Sequence, residues 1–182
     1  FHEQILPELS PIFLDDKFSI QHLKSGAIYF AIQAIHEDDV HYALLEIPSK
    51  RINRFQVIPS KKGRRGKVLI TLDNMIRYCL KEVFVGCIPI DQISAYTIKI
   101  SRDAELELGE AITQSLMDKM ANSLRKRRYG TPVRMIYDSG IPDGMLNFIS
   151  KKLGFVGDDS LIPGGRYHNS RDLMNFPNLG AK

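Results

Sequence analysis

The sequence has no tryptophan and only two cysteines among its 182 residues. Cys79 and Cys87 are too few for the disulfide framework of a small secreted domain, and their spacing fits neither a CxxC redox motif nor a zinc-ligand pair. No run approaches the ~18–20 consecutive apolar residues of a membrane-spanning helix, and no secretory signal peptide is apparent. We therefore expect two buried, reduced thiols in a cytoplasmic protein.

The composition is that of an ordinary globular domain, with 43% hydrophobic and 25% charged residues. That balance excludes a disordered or collagen-like chain, and the length predicts a single domain over residues 1–182. The net charge of +4 is compatible with an anionic partner but does not specify one. The chain starts at Phe1, in a segment that resembles the end of a helix, so we expect a piece of a longer protein.

Apolar patterning predicts strands first and then strands that alternate with helices. Alternating or continuous apolar runs predict strands at 27–34, 41–47, 55–58, 68–70, 96–100 and 133–137, with a turn at Asp38 and Asp39. Helical spacing predicts helices over 74–84, from about 109 to 129 and from about 142 to 153. We expect an irregular C-terminal segment from residue 162 onward. This order predicts an α+β fold, namely an α/β sandwich with a mixed sheet in a single domain.

No residue pattern indicates a self-contained active site. The five histidines form no HExxH or HxxxH motif and no Cys/His pair, which leaves metal binding without support. The segment 63–68 lacks the glycine spacing and the Ser or Thr of a P-loop, and Gly164-Gly165 lacks the third glycine of a dinucleotide fingerprint. We therefore predict no catalytic, cofactor-binding or metal-binding residue in this chain.

Two clusters of basic residues have two interpretations, as contacts for an anion or as solvated surface. They comprise Lys61, Lys62, Arg64, Arg65, Arg127 and Arg128. His168 also has two interpretations. It is either a phosphoryl acceptor or phosphate contact, or a residue that orders a loop through hydrogen bonds.

Three segments together resemble the middle, or head, domain of bacterial polyphosphate kinase, in the large histidine-phosphorylating class. They are LDNMIRYCLKEVF at 72–84, KISRDAELEL at 99–108 and IPGGRYHNSRDLMNFPNLG at 162–180. Residues 46–59 and 123–153 are similar to further passages of that family, in the same order. The most specific signal is GGRYHN followed by DLMNFPN.

The resemblance implies an enzyme that reversibly transfers the terminal phosphate of ATP to a polyphosphate chain. In this family a histidine is autophosphorylated, while two C-terminal domains of phospholipase-D-like fold hold most of the ATP and magnesium, assisted by an N-terminal helical domain. We expect those domains to lie outside this chain. The head domain is then implied to pack against them, to make contacts in a homodimer or tetramer, and to close the active-site tunnel. Peripheral membrane association of the parent enzyme stays open, and no nucleic-acid partner is implied.

No catalytic residue of the family carries over to this chain, because His168 matches a head-domain histidine that is not the phosphorylated one. The resemblance instead marks an architectural motif, formed by Arg102, Asp103, Gly164, Gly165, Arg166, Tyr167, His168 and Asn169. We expect its glycines to allow backbone conformations that other residues resist. We also expect Arg166 to pair with a carboxylate or a backbone carbonyl, and the motif to pack on this domain or to lie against a neighbouring domain or a partner subunit.

Two other functions stay open. A stand-alone basic module would bind an anionic polymer, polyphosphate or nucleic acid, through counterion release. Few aromatic residues interleave the basic ones, which gives base stacking little support. A small phosphohistidine enzyme using His168 would require an acid-labile phosphate on this chain alone.

Overall fold

The computed structural model describes residues 1–58, 68–102, 132–155, 160–167 and 174–178. Its centre is a six-stranded sheet with the strand order β1-β3-β2-β6-β7-β8. The strands of this sheet are β1 (Pro11–Phe13), β2 (Ile28–His36), β3 (Asp39–Glu46), β6 (Gln92–Arg102), β7 (Pro132–Asp138) and β8 (Leu161–Gly164). Neighbouring strands are antiparallel except β7 and β8, which are parallel. The predicted mixed sheet and α+β class are confirmed.

A second, two-stranded sheet and three helices complete the regular structure of the described residues. The small sheet pairs β4 (Phe55–Ile58) with β5 (Val68–Thr71), and β5 leads directly into α1 (Leu72–Tyr78). Helix α2 (Leu80–Val83) follows, and α3 (Asp143–Lys152) connects β7 to β8. Two single-turn 3-10 helices, Leu6–Glu8 and Ile20–His22, flank β1. No helix in these ranges has the length and apolar character needed to cross a membrane.

Both faces of the large sheet are covered, which explains the continuous apolar run in its central strand. On one face, Phe30 and Ile32 of β2 share a buried cluster with α1 and α2. On the other face, Tyr29 and Ala31 share a second buried cluster with Ile149 of α3. Successive residues of β2 therefore alternate between two cores rather than between a core and solvent.

The helix predicted over 74–84 forms as two helices instead of one. The Thr71 hydroxyl caps α1 by accepting from the Asn74 amide at 3.3 Å, and Cys79 separates α1 from α2 with φ −97° and ψ 18°. The buried side of this segment consists of Leu72, Ile76, Leu80, Val83 and Phe84. These apolar side chains thus face the sheet, as their helical spacing predicts, even though the helix is interrupted.

The expectation of two buried thiols is wrong. Cys79 is half-buried and Cys87 is exposed, and both are free. Cys79 lies between α1 and α2 at the border of the buried stripe, beside Glu82. Partial burial and the negative charge of Glu82 raise the pKa of the Cys79 thiol.

The expectation of an irregular C-terminal segment is wrong for residues 162–164, which belong to β8. Leu161 to Gly164 pair in parallel with Met135 to Asp138 of β7. A four-residue run that contains proline carries no clear strand signal, and proline is tolerated here because β8 lies at the edge of the sheet. The helix predicted from about 109 to 129 and the basic segment 61–67 lie outside the described residues.

Candidate functional site

The parallel pairing of β7 and β8 fixes where the Gly164-Gly165-Arg166-Tyr167 motif lies. Gly164 is opposite Asp138 in the register, and the Ser139 amide donates to the Gly164 carbonyl at 3.0 Å. The Asp138 carboxylate is held in turn, because its Oδ1 accepts from the Gly140 amide at 3.0 Å. The motif therefore leaves the sheet beside a carboxylate of fixed orientation.

Tyr167 joins this motif to α1 on the neighbouring part of the fold. The Asn74 amide nitrogen donates to the Tyr167 hydroxyl oxygen at 3.0 Å, and the same hydroxyl lies 3.2 Å from the Asn74 amide oxygen. Tyr167 remains 53% exposed. Tyr167 therefore contacts this domain, which is one of the placements expected for the motif.

Arg77, one turn along α1 from Asn74, binds the sheet beneath the helix. Its Nη1 donates to the Ala95 carbonyl, and its Nη2 donates to Thr97 Oγ1 at 2.9 Å. The guanidinium carbon lies 4.5 Å from the centroid of the Phe30 ring. Arg77 Nη2 is 4.0 Å from Asp138 Oδ2, with both side chains about 15% exposed. These contacts hold the Arg77 guanidinium in one place.

Positive charge is concentrated around Arg77. Burial lowers the pKa of Arg77, the charge of Arg166 lowers it further, and Asp138 partly opposes both effects. An arginine still stays protonated at neutral pH, so two cationic side chains are present near each other. Arg77 Nε is buried without a hydrogen-bond partner in the described structure.

Arg166 itself is exposed, and within the described ranges no hydrogen bond or ion pair holds its guanidinium. The expected pairing of Arg166 with a carboxylate or carbonyl is therefore not seen among these residues. We use the name Arg77–Arg166 cluster for Asn74, Arg77, Asp138, Arg166 and Tyr167. Apart from the Asp138 carboxylate, this cluster offers positive charge and polar hydrogen-bonding groups.

The two glycines of the motif are not needed for unusual backbone conformations. The described glycines with positive φ are Gly26, Gly86 and Gly154, so Gly164 and Gly165 are not among them. A Cβ built on Gly165 meets no described atom within 4 Å. A positive φ therefore does not explain either glycine, and Gly165 borders open space in the described structure.

A buried ion pair lies at the start of the same helix. Arg54 donates from Nε to Asp73 Oδ2 at 2.9 Å and from Nη2 to Asp73 Oδ1 at 2.7 Å. The two side chains are only 7% and 1% exposed. Thr71 provides the helix cap, so Asp73 is free to bind Arg54, which connects the start of β4 to α1.

Most of the other predicted site residues lie outside the described ranges. Those residues are Lys61, Lys62, Arg64, Arg65, Asp103, Arg127, Arg128, His168 and Asn169. The backbone of Arg102 ends β6 opposite Pro132. Among the described residues, no group of three or more His, Cys, Asp or Glu side chains could hold a metal ion.

Asn74, Arg77 and Asp138 were not predicted from the sequence as site residues. One signal was present, because Asn74 and Arg77 are three residues apart in a helical pattern and so share a face. The pairing of β7 with β8, which brings Asp138 and Arg166 to that face, had no sequence signal.

Comparison with known proteins places the whole chain in one family. The family profile described as "Polyphosphate kinase middle domain" matches residues 1–176. A polyphosphate kinase of Vibrio cholerae is 42% identical over 181 residues, which are 99% of this chain and 26% of that protein. The polyphosphate kinase of Escherichia coli K12 is 40% identical over the same shares of both chains.

A solved structure agrees with the sequence comparison. The crystal structure of polyphosphate kinase from Porphyromonas gingivalis superposes with a TM-score of 0.71 at 29% identity. It covers 98% of this chain, which corresponds to 24% of that protein. This chain thus spans about a quarter of the length of the relatives it matches. The chain belongs to the polyphosphate kinase family, in which it corresponds to the middle domain.

Proposed function

We propose that this chain serves as the middle domain of an ATP:polyphosphate phosphotransferase. The parent enzyme would reversibly move the terminal phosphate of ATP to a polyphosphate chain, with magnesium as its metal and an autophosphorylated histidine in another domain. The observation that carries this proposal is the family match over residues 1–176. The 40–42% identity to polyphosphate kinases supports it along the whole chain.

Within that enzyme we assign this domain an architectural role. It would pack against the other domains, contribute contacts to a homo-oligomer and close the active-site tunnel in a cytoplasmic enzyme, with peripheral membrane association open to test. Two features support the role. The sheet has a core on each face, so the domain provides a rigid body. In the Arg77–Arg166 cluster, Arg166 is exposed, whereas hydrogen bonds hold the side chains of Arg77 and Tyr167 in place.

The test compares two polypeptides, the one encoded by the complete reading frame and the 182-residue chain alone. We expect the complete polypeptide to form polyphosphate from ATP and magnesium, and to form an acid-labile phosphohistidine. We expect the 182-residue chain to do neither above background, because the reacting groups would come from other domains. Polyphosphate synthesis by the chain alone would refute the architectural role, and an inactive complete polypeptide would refute the proposed activity.

A further inference from the structure

Among the residues that the structure describes, positive charge in the Arg77–Arg166 cluster exceeds the negative charge around it. Arg54 is matched by Asp73 in a bidentate pair, and Arg77 faces Asp138 at 4.0 Å. Arg166 adds a further cation, for which the described residues supply no carboxylate. Because Arg77 is fixed by Ala95 and Thr97, it cannot swing away from this added charge.

The groups beside Arg166 are suited to bind an oxyanion. The Asn74 amide nitrogen donates to the Tyr167 hydroxyl oxygen at 3.0 Å, and the hydroxyl donates to the Asn74 amide oxygen at 3.2 Å. An oxyanion at this exposed hydroxyl would replace the Asn74 oxygen as its acceptor, while the Asn74 nitrogen keeps the hydroxyl in place. Gly165 presents no side chain, and the described structure has open space where its Cβ would be. An arginine fork and a hydroxyl together match the oxygens of a phosphate group, which accepts from several directions.

We propose that the Arg77–Arg166 cluster is a binding site for a phosphate group, contacted by the Arg166 guanidinium and the Tyr167 hydroxyl. Arg77 would act as a positioning residue that keeps the local potential positive, and Asn74 would orient the tyrosine hydroxyl. Two sources share this chemistry, namely a phosphate of a polyphosphate chain and the triphosphate of a nucleotide. The assignment to either source rests on the proposed function, whereas the phosphate site rests on the geometry.

The experiment titrates the full 182-residue chain with tripolyphosphate by isothermal calorimetry at fixed ionic strength. We expect Arg166→Gln to weaken binding by about tenfold or more, since it removes a charge-assisted contact. Arg166→Lys should lie between that variant and the wild type, because it keeps the charge and loses the fork. The matched control is Arg134→Gln, an exposed arginine on β7 outside the cluster, and we expect it to change binding by less than about twofold.

Parallel titrations with magnesium-free ATP distinguish the two sources. Tighter binding of tripolyphosphate than of ATP supports the site with a polyphosphate ligand, and the reverse order supports it with a nucleotide, provided that Arg166→Gln weakens both. No binding of either compound would overturn the site. Equal affinities for wild type and Arg166→Gln, or equal losses for Arg166→Gln and Arg134→Gln, would also overturn it by showing diffuse attraction to a basic chain. Each of these results leaves the polyphosphate synthesis of the complete polypeptide to be judged independently.

Discussion

Helix α3 and the pair α1–α2 cover opposite faces of one sheet, yet they are anchored by different interactions. The α3 side is held by apolar side chains such as Met145, Ile149 and Leu153. Its buried polar residue Ser150 is satisfied within the helix, since its hydroxyl donates to the Asn147 carbonyl at 3.1 Å. We call this side the apolar face.

The α1–α2 side adds buried and half-buried charges to a core of similar apolar residues. Asp73 of α1 pairs with Arg54, and Arg77 reaches across Phe30 to the sheet. We call this side the charged face. Apolar contacts tolerate small shifts of a helix, whereas paired charges at low exposure demand one geometry. The difference suggests that the charged face fixes the position of α1, and with it the cluster around Arg77.

The largest expected effect comes from breaking the buried ion pair of the charged face. Asp73→Ala leaves Arg54 without its carboxylate at 7% exposure. We expect a loss of about 3–5 kcal/mol in the free energy of unfolding, the usual result when one partner of a buried pair is removed. Urea denaturation measures it. Asp16→Ala is the control, because Asp16 is fully exposed and 3.5 Å from Lys152, and it should leave stability nearly unchanged.

Equal effects of Asp73→Ala and Asp16→Ala would contradict the distinction between the faces. The double variant Arg54→Met with Asp73→Leu tests whether the unpaired charge causes the loss of stability. Replacing both charges by apolar groups is often neutral or stabilising in other proteins, so the double variant should be much more stable than Asp73→Ala alone. If it is as unstable as the single variant, the pair itself does not explain the loss.

Truncation of one apolar side chain on each face should have the next largest effect. Leu80 of the charged face is 4% exposed and Ile149 of the apolar face is fully buried. We expect Leu80→Ala and Ile149→Ala each to destabilise by about 2–5 kcal/mol, because each leaves a cavity. Tyr78→Ala, at 91% exposure, is the control for a change in the same helical segment and should be nearly neutral. A neutral Leu80→Ala would mean that α2 does not pack on the sheet.

The same comparison shows how much of the molecule the sequence could reveal. Apolar periodicity predicted the strand at 55–58 with its observed bounds. The helical spacing of Ile76 and Leu80 in one segment, and of Ile149 in another, agrees with their burial. Periodicity reports which side of an element is buried, and that is sufficient for apolar contacts.

Polar contacts between distant segments were not predictable in this way. Asp73 and Arg54 are 19 residues apart, and Asn74 and Tyr167 are 93 apart. No local pattern relates such pairs. They come together because β5 leads directly into α1, which packs on the sheet, and because β8 pairs with β7. The motif containing Arg166 was recognised from its resemblance to a family, but its neighbours Arg77 and Asp138 required the strand order.

The smallest expected effect lies at the rim of the charged face, where Asp91 holds the turn between β2 and β3. Asp91 Oδ2 accepts from the Glu37 amide at 2.9 Å and contacts His36 Nδ1 at 3.1 Å. Glu37 has φ +50°, an uncommon conformation for a residue other than glycine, so this hydrogen bond supports a costly turn. The Glu37 amide is the main cause that lowers the pKa of Asp91; burial opposes it, and His36 and Lys81 lower the pKa further.

A carboxyl group whose pKa is lower in the folded state than in the unfolded state stabilises the fold above its ordinary pKa, near 3.8 for Asp. That contribution should disappear as the pH falls through the lowered value. We therefore expect the loss of stability on acidification below about pH 4 to be smaller in Asp91→Asn than in the wild type. Carbon-13 NMR titration of the Asp91 carboxyl checks the cause directly. In His36→Gln the pKa should rise yet stay below the ordinary value, because the Glu37 amide remains. An Asp91 that titrates at its ordinary pKa in the wild type would show that the turn at Glu37 does not depend on this hydrogen bond. The polar contacts that hold the charged face would then extend no further than Arg77.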